Sequence, residues 1–469
     1  MPSSDIAITG IGMVTPTGIG RTEFFDAVRR GSSGIKRLTE LCPDEHPDAW
    51  VGPGQIGSEA IKRQPSLAIG APITGFDAKR FVRPRKALKV MCREIQTSYA
   101  ASQLAIADAG LGEVFPLDPP SEDSNDDWGL QAQRVGTVFG SEMLYGRPTE
   151  LADAFTVCLD EHGGVAQSRF GGAAMHKITP LWLLKYLPNM PACHVGIAIG
   201  AHGPNNTLTV GDVSGPAAVM EACGYLSRGI ADLMVCSASG SRLNVTRSVF
   251  SEDQPQACPV DPLHRSSRPH ATDCDGIVRG EAAAGFILES EQSIRQRSRR
   301  PIVWIRGGAS RFVPADSFLR RDRNASLAPD AGRASSRSMR LAIEAAMRQA
   351  DVSADRIGLV VAHGMGDPVI DAAEREALLA TVPDVPLCLP ISTLGHTGAA
   401  SGMVELATAV LSLVYGVVPP VPHAESCHGG LSVSEQARDL DRPFALVLTH
   451  TSAGAATALV LEQAAPPGE

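Results

Sequence analysis

The chain has 469 residues and a formal net charge of −9, and 43% of its residues are hydrophobic. This length is about twice the size at which a single hydrophobic core usually stops growing, so two core-sized halves are expected. The acidic balance disfavours nucleic acid as a partner. We see no run of about 18 apolar residues that predicts a membrane span and no secretory signal, so a cytoplasmic protein is expected.

Metal-binding motifs are missing from the sequence. Its twelve histidines form no HExxH and its ten cysteines form no CxxC. Cysteines inside apolar runs, such as Cys236 in ADLMVCSAS, are typical of small core residues. The sequence therefore predicts no metal site and no bound cofactor.

Strand-like and helix-like segments alternate along the first half. IAITGIGMVTP predicts a buried strand, and RTEFFDAVRRG predicts a helix that ends at Gly31. RKALKVMCREIQTSYAASQLAIADAG predicts a long helix that ends at Gly110, and the acidic residues 113–134 predict a surface loop. RVGTVFGSE and ADLMVCSAS predict further buried strands.

The second half repeats this pattern. PIVWIRGGAS predicts its first strand, SMRLAIEAAMRQADV an amphipathic helix, IGLVVAHG a buried strand and FALVLTHTSAGAATALVLEQ a final hairpin. Apolar strands that alternate with helices predict α/β layers with sheets covered on both faces. The repetition favours a pseudo-duplicated α/β fold with halves at residues 1–260 and 261–469.

Three small-residue elbows carry polar side chains at strand ends. They are GDVSG with Asp212 and Ser214, AHGMGDP with His363, and STLGHTGAASG with His396. Ligands of open α/β sheets usually bind at such edges, and the glycines allow a substrate to approach closely. An enzyme often places its nucleophile on a strand-to-helix elbow, where the helix N-terminus stabilises negative charge. Here the elbow residue is an aspartate.

Five motifs, in the same order along nearly the whole chain, resemble the β-ketoacyl synthase family of the thiolase fold. They are DIAITGIGMVTPTGIG, FDAKRFVRPRKALKVMCREIQTSYAASQLAIADAGL, CDGIVRGEAAAGFILE, VVAHGMGDPVIDAAE and STLGHTGAASGMVE. The resemblance implies a layered α-β-α-β-α arrangement. It also implies action on thioesters carried by the phosphopantetheine arm of an acyl carrier protein, in fatty acid or polyketide biosynthesis.

The resemblance assigns roles to single residues. His363 and His396 match the two family histidines, which bind the malonyl thioester and stabilise the carbanion or enolate formed on decarboxylation. Glu281 matches a family glutamate, and Asp212 replaces the nucleophilic cysteine. Further departures are Ile391 in place of the family lysine and THTSAGAA in place of the Gly-Phe-Gly-Gly stretch. This last change puts Ser452 near the position of the gating phenylalanine, with His450 two residues before it.

Several roles for Asp212 remain open. A carboxylate is a poor acyl carrier, so ordinary condensation is not expected, and Ser214 is a spare hydroxyl that is expected to cap the helix. Malonyl decarboxylation without condensation is hindered because Asp212 would repel the malonyl carboxylate. Acid–base, cyclising, hydrolytic or acyl-transfer chemistry by Asp212, His363 and His396 is another option.

The preferred interpretation is a chain-length-factor-like partner of an active ketosynthase, because several parts of the acylation machinery are altered. The chain is expected to form a homodimer or a heterodimer with that synthase. Basic residues in two clusters are candidates for docking an acidic carrier protein. They are Arg80, Arg83, Arg85, Lys86, Arg297 and Arg300.

Overall fold

The computed structural model describes residues 5–41, 62, 64–112, 131–244, 246–247, 254–314 and 329–464. Most of the predicted loop at 113–134 lies outside these residues. The described strands are β1 Ile6–Thr15, β2 Gly18–Ile19, β3 Lys36–Arg37, β4 Ile69–Gly70, β5 Val135–Gly140, β6 Asn205–Leu208, β7 Leu233–Ser241, β8 Glu281–Ser290, β9 Val303–Phe312, β10 Ile357–Val361, β11 Leu387–Cys388, β12 Val417–Val418, β13 Arg438–Asp439, β14 Phe444–His450 and β15 Ala455–Gln463.

The α-helices in the described part of the chain are α1 Arg21–Arg29, α2 Arg93–Asp108, α3 Ala152–Thr156, α4 Met190–Ala198, α5 Ser214–Ser227, α6 Glu291–Gln296, α7 Pro329–Ala350, α8 Pro368–Thr381, α9 Ile391–Leu394 and α10 Ser401–Tyr415. The long helix predicted from residue 85 begins at Arg93, because residues 85–90 form a 3₁₀ segment and Met91 and Cys92 are extended.

The large sheet has an internal repeat. Its strands follow the order β11-β10-β14-β15-β9-β1-β8-β7-β5-β6. Each half of this order contains three parallel strands followed by two antiparallel ones, and the halves meet where β1 pairs with β9. This symmetry confirms the predicted duplication. The last strand of the first half ends at Ser290, and the first strand of the second half begins at Val303. The domain boundary after residue 260 stays a prediction.

Helices cover both faces of each half. α2 packs on β1 and β8, α7 packs on β9 and β15, and α5 contacts α10 between the two halves. One hydrophobic cluster fills the space between the halves, and two others lie under the outer helices. These contacts give the layered thiolase-like fold that the resemblance implies.

The central helix α10 is unusually apolar. The stretch Gly398–Tyr415 is interrupted by Ser401, Glu405 and Thr408, but by length and composition it is apolar enough to cross a membrane. However, 89% of it is buried inside the fold. Its apolarity follows from its place in the middle layer, where both of its faces pack against protein.

Candidate functional site

The Asp212 elbow lies between β6 and α5. Gly211 has a φ of 72°, which an L side chain rarely adopts, and this turn places Asp212 at the entrance to α5. Ser214 stabilises the turn, since its hydroxyl accepts a hydrogen bond from Val210 N (2.9 Å) and donates one to Gly211 O (2.5 Å). Ser214 is therefore engaged with the backbone. Asp212 is 3% exposed and points into the protein.

The two histidines converge on Asp212 from the second half of the chain. His363 follows β10, and His396 follows α9. Asp212 Oδ2 lies 3.3 Å from His396 Nε2 and 3.9 Å from His363 Nε2. The structure thus brings the polar groups of all three predicted elbows together, and both histidines are fully buried.

A buried carboxylate orients His363. Its Nδ1 lies 2.6 Å from Glu405 Oε1, and the other oxygen of Glu405 accepts a hydrogen bond from the Thr449 hydroxyl. Burial alone would lower the pKa of His363, but the charge and hydrogen bond of Glu405 outweigh it and raise the pKa to about 9. His363 is therefore protonated at neutral pH.

His396 behaves in the opposite way. Burial outweighs the nearby Asp212 carboxylate and lowers the pKa of His396 to about 4, so its ring is neutral at pH 7. Burial also opposes ionisation of Asp212, but His396, Arg242 and His363 hold the pKa of the carboxyl well below its ordinary value. Asp212 is a stable carboxylate and a weak base.

Charged side chains extend from Asp212 away from the histidines. Arg242, at the end of β7, places Nη2 3.1 Å from Asp212 Oδ1 and 3.5 Å from Glu142 Oε2. Glu142 also accepts a hydrogen bond of 2.7 Å from Arg247 Nη2. Four charges of alternating sign therefore connect the elbow to the segment after β7.

A second buried group lies behind His363. Glu374 accepts hydrogen bonds of 2.9 Å from the backbone N–H groups of His363 and Gly364, and it lies 2.8 Å from His270 Nε2. His450 Nε2 is 3.4 Å from Glu374 Oε1, and its ring packs edge-on against His363 at 4.8 Å between centroids. His450 thus joins the histidine cluster.

Other predicted site residues lie elsewhere. Glu281 forms a buried ion pair with Arg93, with contacts of 2.9 and 3.0 Å, and accepts a 2.7 Å hydrogen bond from Ile73 N. Ser452 lies in the turn after β14, outside the contacts described for Asp212 and the histidines. Ile391, which is predicted to replace the family lysine, begins α9 and is 6% exposed, so it packs as a core residue.

The basic residues predicted to dock a carrier protein differ in their surroundings. Arg80, Arg85, Lys86 and Arg300 are exposed. Arg83 is half-buried and donates to the Lys79 and Val82 carbonyls. Arg297 lies 2.5 Å from Glu289 Oε1 and donates to Ala109 O, so it is engaged in a largely buried ion pair.

Sequence reasoning missed the charged partners of the site. Glu405 is a single acidic residue in the apolar helix SGMVELATAV, and Arg242 directly follows the apolar strand LMVCSASGS. A charged residue inside an apolar run is rarely buried without a partner, and this was the available signal. The sequence does not identify the partner, because Glu405 and His363 are 42 residues apart.

The fold and the site define an α/β protein of thiolase-like fold in which Asp212, His363 and His396 form a buried cluster. The family model "Beta-ketoacyl synthase, N-terminal domain" matches residues 3–293, and "Beta-ketoacyl synthase, C-terminal domain" matches residues 322–425. The chain therefore belongs to the β-ketoacyl synthase family.

Similar proteins support this assignment. The tetracenomycin polyketide synthase ketoacyl synthase alpha subunit of Streptomyces glaucescens is 28% identical over 90% of this chain and 87% of its own length. The 3-oxoacyl-[acyl-carrier-protein] synthase 2 of Vibrio cholerae is 27% identical over 92% of both chains. The structure of the ishigamide ketosynthase/chain length factor aligns with this one at a TM-score of 0.73 and 19% sequence identity. The alignment covers 98% of this chain and 99% of that one. The last similarity establishes the fold alone.

Proposed function

We propose that this chain is a non-condensing, chain-length-factor-like subunit that pairs with an active ketosynthase in polyketide or fatty acid biosynthesis. The observation that carries the proposal is the buried Asp212 carboxylate, which Arg242 and His396 contact at 3.1 and 3.3 Å. Substrates would reach the pair on the phosphopantetheine arm of an acyl carrier protein, in the cytoplasm.

The chemistry of a carboxylate at position 212 supports this role. Condensation requires a thiolate to hold the growing acyl chain, and a carboxylate would give an unstable mixed anhydride. Cys388, at the end of β11, does not replace the missing thiol, because burial and the nearby Glu405 raise its pKa well above the ordinary value. The fold keeps the shape of a synthase while its nucleophile position holds a fixed charge.

A second candidate function is acid–base or decarboxylating chemistry on a carrier-bound acyl chain. The observation that favours it is that both histidines direct Nε2 towards Asp212, with His363 protonated and His396 neutral. Such a pair could supply a proton and an oxyanion contact. The weak basicity of Asp212 argues against its use as the base.

Mass spectrometry of malonyl- and acyl-loaded carrier protein distinguishes the two functions. The purified chain alone should leave both loads unchanged, as should the His363→Ala variant. Loss of carbon dioxide, water or the acyl group with the wild type but not with His363→Ala would contradict the non-condensing role and establish the second candidate.

Partner formation is tested separately by co-expression with active ketosynthases of the same organism and native mass spectrometry. A one-to-one heterodimer that condenses malonyl units is the expected result. The matched control carries Cys→Ala at the nucleophile of the partner, which should preserve the heterodimer and abolish condensation. A stable homodimer that binds none of these ketosynthases would contradict the proposal.

A further inference from the structure

Three side chains have ligand atoms close together around Asp212, the position that the resemblance assigns to the nucleophile (the nucleophile seat). Asp212, His363 and His396 each offer one ligand atom that lies within 4.8 Å of the other two, and all three residues are buried. Among the described residues, His363 Nε2 and His396 Nε2 are buried atoms without a hydrogen-bond partner. Buried polar atoms are normally paired, but His363 Nε2 has no hydrogen-bond partner and His396 Nε2 has only its 3.3 Å contact with Asp212, so these two ring nitrogens point to a ligand.

The spacing of these atoms suits a small coordination sphere. A tetrahedral zinc site with bonds of about 2.05 Å has ligand–ligand edges of about 3.3 Å. The edge from Asp212 Oδ2 to His396 Nε2 is 3.3 Å, and the edge from Asp212 Oδ2 to His363 Nε2 is 3.9 Å, about 0.6 Å longer than the tetrahedral edge.

Outer partners already orient two of the three ligands. Glu405 accepts from His363 Nδ1 at 2.6 Å, which leaves Nε2 as the ligand atom. Arg242 holds Asp212 through Oδ1, and Oδ2 faces the histidines. A carboxylate behind a ligating histidine is a recurrent feature of zinc sites, because it fixes the ring and raises its basicity.

The charge balance also permits a cation here. Four buried carboxylates surround the seat, whereas two guanidinium groups contact them; the residues are Asp212, Glu142, Glu374, Glu405, Arg242 and Arg247. In the metal-free protein protonated His363 supplies further positive charge, and a bound cation would take its place by displacing that proton. The positive charge of Arg242 opposes a metal, but Glu142 lies 3.5 Å from it and compensates.

The neighbouring cluster of His270, Asp371 and Glu374 has similar residue types, but its carboxylates accept hydrogen bonds from several backbone N–H groups. Backbone N–H groups of His363 and Gly364 occupy both oxygens of Glu374. Asp371 likewise accepts from the backbone of Met365, Gly366 and His270. The carboxylates of this second cluster already accept hydrogen bonds from the protein backbone, so the cluster serves as a control for metal binding.

We infer that Asp212, His363 and His396 form a binding site for a divalent transition metal, with Zn²⁺ as the best fit. Three protein ligands leave one position for water or a substrate oxygen. The inference goes beyond the proposed function, since a resident metal neither supplies a thiol nor requires a partner subunit.

Metal content of the purified chain tests the inference. The chain is stripped with a chelator, incubated with Zn²⁺, separated from excess metal and analysed by mass spectrometry for zinc. We expect about one equivalent in the wild type and at least about 10-fold weaker binding in Asp212→Asn and in His396→Gln. The matched controls are His270→Gln, in the neighbouring cluster, and His176→Ala, at an exposed histidine; both should bind as the wild type does.

Replacement of Zn²⁺ by Co²⁺ gives a second readout that needs no variant. A site with two histidine ligands should show visible ligand-field bands and shifted ring-proton signals from two histidines. Absence of both features, or Zn²⁺ binding by Asp212→Asn and His396→Gln equal to that of the wild type, would overturn the inference. No carrier protein is present, so this failure would leave the proposed function untouched.

Discussion

Arg242 Nη2 lies 3.1 Å from Asp212 Oδ1, and the two side chains are 8% and 4% exposed. Asp212, the predicted replacement of the family cysteine, is therefore half of a buried ion pair. Removing one partner of such a pair leaves an uncompensated buried charge, which costs about 3–5 kcal/mol. We expect Arg242→Met to lower the free energy of unfolding in urea by this amount.

An exposed ion pair provides the control for this measurement. Arg295 pairs with Glu291 on α6, and its side chain is 76% exposed. Arg295→Met should change the free energy of unfolding by about 0.5 kcal/mol or less, because solvent screens such pairs. A loss of less than about 1 kcal/mol in Arg242→Met would show that the pair does not stabilise the fold.

The contact between His363 and Glu405 predicts how stability depends on pH. A histidine whose pKa rises from about 6.5 to about 9 on folding stabilises the folded state fully below pH 6.5, and this contribution is lost as pH rises through 9. The contribution amounts to about 3 kcal/mol. We expect the free energy of unfolding of metal-free protein to fall by roughly that amount between these pH values.

Glu405→Gln should remove most of this pH dependence, since the shift depends on its charge and hydrogen bond. Glu425→Gln is the matched control, because Glu425 is an exposed carboxylate paired with Arg265. It should leave the pH profile unchanged. An identical fall in wild type and Glu405→Gln would assign the pH dependence to other groups.

The three elbows of the site were predictable because each joins an apolar strand or short helix to a glycine-rich turn. Such local patterns reveal where polar side chains reach the edge of a sheet. Asp212, His363 and His396 could therefore be grouped without coordinates, and the duplicated strand pattern gave the fold class.

The electrostatic surroundings could not be predicted in the same way. Glu405 reaches His363 only because α10 passes between the two halves, and Arg242 reaches Asp212 only because β7 ends beside the elbow. Those contacts depend on the packing of layers far apart in sequence. For the same reason the sequence did not predict the ion pair of Glu281, whose partner Arg93 lies 188 residues away.

The ion pair of Glu281 predicts a structural role away from the nucleophile seat. Glu281 starts β8 and connects it to α2 through Arg93 and to the backbone at Ile73. Glu281→Gln should lower the free energy of unfolding by about 3–5 kcal/mol, because it removes one charge of a buried pair. The ring-proton signals of His363 and His396 should not move in the folded variant. Shifts in those signals would instead connect Glu281 to the seat.

The exposed basic residues Arg85 and Lys86 predict a salt-dependent carrier contact. Reversing both charges should weaken the binding of an acyl carrier protein of the same organism about 10-fold at low salt, because an acidic partner loses its attraction to this surface. The difference should shrink as ionic strength rises above about 0.1 M, where the Debye length is about 10 Å.

Arg348 and Arg356, exposed on the second half of the chain, are the matched control for that reversal. Changing both to glutamate alters the net charge by the same amount, so any general effect of charge on carrier binding appears equally in both variants. A weaker affinity confined to the Arg85 and Lys86 variant places the carrier on this surface. Equal losses in the two variants would indicate only long-range attraction, and unchanged binding in both would exclude these residues from docking.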